Sequence, residues 1–368
     1  MEEYVAKEYA YEILGQPSML GNKERKLKFY FSEPSNGINA ETGLLLIIAG
    51  FGGNANSNVY IKMRNTFADK YNLITIQCDY FGYEFMQAPN NIILKHTKED
   101  IKRYFSNKEV EYIYKDNNIF LRLMEISSKY KINILAKENL NENINNYCDM
   151  GIIQAIDNIT AIIAVMEVIK NQGYKINEDK VILYGHSHGA YLSYLCNAFA
   201  PNLFSLLIDN SSWLFPAYLK GNRYVNKIYG DSILSVEFEY FAKTVHYDEE
   251  ILNLPSIYSK FNNNCDIICY HGTNDNLISN KDKVVLKNII NNFTYNEIDE
   301  TKVDNKIFKS NHHGLGTDFL ELFDLVINEY HFKNRVIKRS DIIFYETQNN
   351  IYEIDYSNIT PILNVEEK

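Results

Sequence analysis

Residues 181–195 read VILYGHSHGAYLSYL. Five residues suited to a buried strand run into a turn centred on Ser187, and an apolar helix starts directly after it. Gly185-His186-Ser187-His188-Gly189 is a G-x-S-x-G pattern, and its spacing has a physical reason. A serine hydroxyl becomes a nucleophile when a tight strand-to-helix turn exposes it beside a base. Residues without bulk two positions to either side let strand and helix approach closely enough to make that turn. The stretch therefore predicts a βα unit, and with it the kind of sheet to look for on both sides.

Outward from it the rhythm repeats. LLLIIAG (44–50) reads as a buried strand ending in glycine, residues 55–71 as a helix and LITIQCDY (73–80) as a strand. Between Met150 and Lys170, Ile152, Ile156, Ile159, Ile163 and Met166 mark an apolar helix face. AYLSYLCNAFA (190–200) is helical, LFSLLID (203–209) and DIICYHG (266–272) are strands, and 280–291 and 317–331 are helices. Strands alternating with helices give a doubly wound α/β fold with a mostly parallel sheet. Two segments interrupt it, 81–149 and 211–263, both leaving from the carboxyl ends of strands, where open sheets bind ligands. They are expected to be cap insertions in one domain spanning 1–330. The first carries a capping pattern at Thr97-Lys98-Glu99-Asp100 and an apolar stretch at 119–124. The tail, 331–368, is expected to pack on the core as a β-hairpin turning at Gln348–Asn350.

A serine nucleophile needs a base, an orienting acid and two backbone donors for the oxyanion, in the chain order serine, acid, histidine. In CYHGTNDNLIS, Asp275 stands just past a strand end; Asp209, closing LFSLLID, is the alternate acid. KSNHHGLGTDF supplies the base, His313 ahead of its neighbour His312. The turn Gly50-Phe51-Gly52-Gly53 follows the first central strand, so the N–H of Phe51, or alternatively Gly52, should join that of His188. His186, His188, the His312-His313 pair, Cys265 and Cys269 invite a metal reading. Two imidazoles of an H-x-H on such a turn point apart, and no carboxylate follows at ligand spacing, so no metal and no cofactor is expected.

Composition narrows the partners. The 368 residues carry Lys+Arg 37 against Asp+Glu 47, a net charge of −10, which argues against nucleic acid. MEEYVAKEYAYEILG has neither a basic start nor an apolar run, so no signal peptide is expected. The longest apolar stretch, around GLLLIIAGF, is far below the roughly 18–20 residues that span a bilayer, so no membrane span is expected. Five scattered cysteines, Cys78, Cys148, Cys196, Cys265 and Cys269, fit a reducing compartment, hence a cytoplasmic location. Asn makes up about one residue in eight, which reads as genomic bias.

Together the G-F-G-G turn, the G-H-S-H-G elbow, the H-G-T-N-D segment and the His-Gly of N-H-H-G-L resemble the α/β-hydrolase superfamily over residues 20–80 and 150–330. H-G-T-N-D is similar to the segment of prolyl-oligopeptidase-like and esterase members, in which the aspartate is the triad acid. MGIIQAIDNITA with the late His-Gly resembles a bacterial group of hydrolase-like proteins found near flagellar glycosylation and sialic-acid-like sugar genes. Ala49 stands where many members carry His. The motifs and the resemblance together imply a serine hydrolase acting on a small-molecule acyl ester, a glycan or sugar nucleotide being one candidate substrate, with the acyl group and the alcohol portion left open. An acyltransferase to a sugar hydroxyl, a peptidase and an inactive binding module are the alternatives.

Overall fold

The buried apolar runs form the middle of an eight-stranded sheet. In chain order its strands are β1 (Lys7–Gly15), β2 (Arg25–Glu33), β3 (Gly43–Ile48), β4 (Leu73–Cys78), β5 (Val181–His186), β6 (Leu206–Asn210), β7 (Asp266–Gly272) and β8 (Phe293–Ile298). The spatial order is β1-β2-β4-β3-β5-β6-β7-β8. β1 pairs antiparallel with β2 and β2 with β4; every other pairing is parallel. The computed structural model describes residues 5–335, 340–358 and 360–368. Parts of the N-terminal and tail readings, residues 1–4, 336–339 and 359, lie outside them.

β3 and β4 are buried along their whole length, as continuous apolar strands of a parallel sheet covered on both faces must be. One face turns Leu45, Ile47, Ile182, Tyr184, Leu206 and Ile208 toward helices α1 (Asn58–Tyr71) and α5 (Phe319–Glu329). There Phe67 and Phe323 stack with ring centroids 4.2 Å apart. Helices α2 (Ile152–Asn171) and α3 (His188–Phe199) pack together against the sheet, and α4 (Asn280–Ile289) follows β7. This is the doubly wound, α/β-hydrolase architecture expected from the sequence. Three strands, β1, β2 and β8, were not legible in it. α2 is buried on more than the single stripe predicted: Ile153, Ala155, Ala161 and Ile162 are fully buried, whereas Ile163 and Met166 are half-exposed. It is long and apolar enough to cross a membrane, but 78% of the relevant window is buried inside the fold, as in a core helix.

The chain divides into two units, one made of 1–86, 144–216 and 247–368 and one of 87–143 and 217–246. The excursions are shorter than 81–149 and 211–263 because their flanks belong to the first unit. The second unit holds a four-stranded sheet, Ile92–Leu94, Asn133–Glu138, Ser232–Phe238 and Arg223–Tyr229 in spatial order. Its central pair, Asn133–Glu138 with Ser232–Phe238, is parallel and joins one excursion to the other. Helix Lys98–Tyr104 starts at a capping box in which Thr97 and Asp100 exchange hydrogen bonds, as the sequence indicated.

In the first unit the expected hairpin, Ile342–Glu346 with Asn350–Asp355, gains a third antiparallel strand, Ile362–Glu367. Tyr345 Oη donates to the Ala198 carbonyl (2.6 Å) and Tyr356 Oη to that of Phe199 (2.9 Å), which fastens the tail to the end of α3.

Candidate active site

β5 ends in a turn whose central residue is strained. Ser187 has φ 54° and ψ −120°, a conformation costing a non-glycine residue about 1–3 kcal/mol, so its surroundings must hold it there. They do so from both sides: its N–H donates to the Asn210 carbonyl at the end of β6 (2.8 Å), and its carbonyl accepts from Tyr191 in α3 (3.1 Å). The flanking glycines are required by space. A Cβ on Gly189 would lie 2.0 Å from the Ile48 carbonyl oxygen, and one on Gly185 2.4 Å from the Ala190 nitrogen.

His313 comes from the loop between β8 and α5. Its Nε2 lies 2.8 Å from Ser187 Oγ, and its Nδ1 lies 2.8 Å from Asp275 Oδ2. An ionised carboxylate only accepts, so Nδ1 carries the proton and Nε2 is free to accept the serine hydroxyl. The loop is pinned by Gly314, whose N–H donates to Ser211 Oγ (3.2 Å) and whose missing Cβ leaves room for the His186 ring.

Asp275 follows β7 and has a fully buried side chain. Its Oδ1 accepts the N–H groups of Leu277 (2.9 Å) and Ile278 (3.0 Å). Burial alone would raise this carboxyl; the His313 hydrogen bond and charge and the two amides outweigh it and hold it below its ordinary value. His271 backs it, with Nε2 3.5 Å from Oδ2 while donating to the Ile278 carbonyl (3.0 Å).

The structure thus brings Ser187, His313 and Asp275 into one hydrogen-bonded chain. The alternates sit elsewhere. His312 donates its Nδ1–H to the Asn274 carbonyl (3.0 Å) and faces solvent. Asp209 is buried in another network, bonded to Tyr194 (2.9 Å), Ser212 (2.8 Å) and Lys283 (3.2 Å).

The turn after β3 lies against the elbow: a Cβ on Gly50 would be 3.4 Å from Ser187 Cβ and 3.5 Å from the His188 nitrogen. His188 is the first residue of α3, where a helix offers its N–H no internal acceptor. Gly52, the alternate donor, is committed, since its N–H goes to the Met86 carbonyl (2.9 Å). Phe51 packs its ring on those of His188 (5.1 Å) and Trp213 (6.0 Å). The carbonyl of Ala49, at the start of that turn, is held by Tyr80 Oη (2.7 Å).

The two elbow histidines point to different neighbours, His186 to Phe319 and His188 to Trp213, and no group of three His, Cys, Asp or Glu side chains gathers as a metal site among the described residues. Burial, reinforced by the charge of His313, lowers His186 to about 4; burial lowers His188 to about 3. Sequence reasoning missed Asn210, Ser211, Tyr80 and Gln154. The only trace of them was polarity inside apolar runs, as with Gln154 in MGIIQAIDNITA.

A family model described as "Protein of unknown function (DUF2920)" matches residues 9–247 and 239–363. No curated protein sequence matches the chain. Among solved structures it is similar to the Est1E protein of Butyrivibrio proteoclasticus with ferulic acid bound, at 15% identity and a TM-score of 0.44, covering 83% of this chain and 93% of that one. The peroxisomal α/β-hydrolase Lpx1 of Saccharomyces cerevisiae matches at 14% identity and a TM-score of 0.44, covering 88% and 87%. Esterase 2 of Thermogutta terrifontis, phosphonylated by cyclosarin, matches at 10% identity and a TM-score of 0.41, covering 82% and 87%.

Proposed function

The chain belongs to the family described as Protein of unknown function (DUF2920), and from its site we propose that it is a serine hydrolase cleaving a carboxylic ester through an acyl-enzyme. The observation that carries this reading is the chain Ser187 Oγ–His313 Nε2 (2.8 Å) and His313 Nδ1–Asp275 Oδ2 (2.8 Å), mounted on a strained strand-to-helix turn.

Ser187 Oγ attacks the acyl carbon while His313 Nε2 takes its proton, and Asp275 stabilises the imidazolium that results. The carbonyl oxygen becomes an oxyanion facing the N–H groups of His188 and Phe51, at a helix N-terminus that favours negative charge. As the tetrahedral intermediate collapses, the C–O bond to the alcohol breaks and the leaving oxygen takes the proton back from His313. Water then gives a proton to His313 and attacks the acyl carbon. The Ser187–acyl bond breaks, Oγ recovers its proton and the carboxylic acid leaves. The substrate class is a small acyl ester, with O-acyl sugars as the first panel to assay.

The test is labelling with a fluorescent fluorophosphonate together with hydrolysis of short aryl esters. Wild type should label, while Ser187→Ala and His313→Ala should not, with kcat falling by roughly 10⁴–10⁶. Labelling that persists in Ser187→Ala, or a wild type inert to both probe and esters, would overturn the assignment.

A further inference from the structure

We propose that Gln154 is a positioning residue for the oxyanion hole, bonded to the His188 side of it and to the segment that clamps the Phe51 side. The assignment rests on the serine-hydrolase reading above and deepens it.

Gln154 stands in the first turn of α2 and is fully buried. A buried amide is costly unless its atoms are bonded, and this one is bonded in a way that fixes its orientation. Its Nε2 donates to the Phe81 carbonyl (3.0 Å), which can only accept. Its Oε1 therefore faces His188 Nε2 at 2.7 Å, so that this ring nitrogen carries the proton. The other ring nitrogen, Nδ1, is buried and has no hydrogen-bond partner among the described residues. Among the described residues the single polar tether of the His188 ring is thus Gln154, and His188 is the residue whose backbone N–H opens α3 beside Ser187.

The far side of the hole hangs from the same place. The turn after β3 is held by Tyr80 Oη on the Ala49 carbonyl (2.7 Å) and by the Met86 carbonyl on the Gly52 N–H (2.9 Å). Between those two clamps the chain passes Phe81, whose carbonyl Gln154 grips, and Gln154 Nε2 also lies 3.5 Å from Met86 Sδ. One side chain accordingly touches the supports of both donors. Oxyanion stabilisation depends on donors fixed before the charge develops, and small displacements are felt steeply in rate.

Gln154→Met keeps the volume and removes both bonds. His188→Phe deletes the same tether from its other end and keeps the backbone N–H. With a short aryl ester, Gln154→Met should lose about 10- to 100-fold in kcat, less than the ~10²–10³ for losing a donor outright. KM should stay within about twofold, and affinity for a trifluoromethyl ketone matching the acyl group should fall by the same factor as kcat. The inflection of the pH–rate profile should not move, because His313 and Asp275 are untouched. The double variant should be no slower than the worse single one, since the bond that His188→Phe removes is already gone in Gln154→Met.

A Gln154→Met enzyme with kcat within about twofold of wild type and only a lower Tm would reduce Gln154 to a structural residue and overturn the proposal. Additive losses in the double variant would overturn it too. Should Gln154→Met not fold, His188→Phe is read by the same kcat and inhibitor criteria. A wild type inert to both the probe and the esters overturns the parent reading and this one with it. A labelled wild type with an unslowed Gln154→Met overturns this one alone.

Discussion

Asp149 shows how a carboxyl near the proposed site is tuned by what surrounds it. Burial raises it to about 7, against the N–H groups of Ile153 and Gly151, which bond to it and pull it down. In the unfolded chain it titrates near 4, so the fold binds this proton more tightly than the unfolded state. Its contribution to stability is fully present below about pH 4 and is lost as pH rises through about 7. Asp149→Asn keeps an oxygen for the Ile153 amide and has no proton to lose. Its Tm relative to wild type should therefore climb between about pH 5 and pH 7 and level off above, which calorimetry across that range checks. His186 and His188, lowered to about 4 and about 3, lean the other way, losing stability as pH falls. They are present in both proteins, so the difference isolates Asp149. A gap that stays flat with pH would contradict the raised carboxyl.

At the scale of elements, the elbow is a close packing of β5, α3 and β3 more than a property of its serine. Gly189 sits where a Cβ would meet the Ile48 carbonyl at 2.0 Å, and backbone cannot step aside as a side-chain end can. Gly189→Ala should destabilise the fold by about 1–3 kcal/mol, read as a lower denaturation midpoint, and should lower ester hydrolysis along with it. An alanine variant as stable as wild type would mean that strand and helix are less tightly joined than their distances indicate. The same physics explains what could be read in advance. β3, β5 and β6 are buried on both faces and announce themselves as apolar runs. β1 is an edge strand with most of its side chains exposed, and β8, FTYNEI, closes the other edge with polar residues; backbone pairing makes both, and pairing leaves no pattern in one sequence. The site divides likewise. Ser187, Asp275 and His313 lie in short local motifs whose order a fold dictates. Gln154 meets His188 across 34 positions and Ser211 meets Gly314 across 103, contacts that exist only once the chain has folded.

For the whole molecule, the residues of the proposed site all belong to the first unit, which the chain leaves twice and re-enters twice. Both exits are closed within that unit. Asn146 Nδ2 donates to Glu84 Oε1 (2.7 Å) across the first pair of stems, and the Phe215 and Tyr247 rings lie 6.0 Å apart across the second. Short linkers can bridge such stems, because closing a short loop costs little when its ends already meet. Replacing 87–143 and 217–246 together by Gly-Ser linkers should therefore leave a protein that melts cooperatively and still labels at Ser187. Replacing 217–246 alone should do worse than replacing both. It strips Ser232–Phe238 from its parallel partner Asn133–Glu138 and exposes that strand's hydrogen-bonding edge, an invitation to aggregate. Size-exclusion chromatography and a melting curve on the three proteins decide it. If the double replacement aggregates while the single one stays monomeric, the first unit depends on the second for its folding, and the division drawn from the chain's contacts is not one of stability.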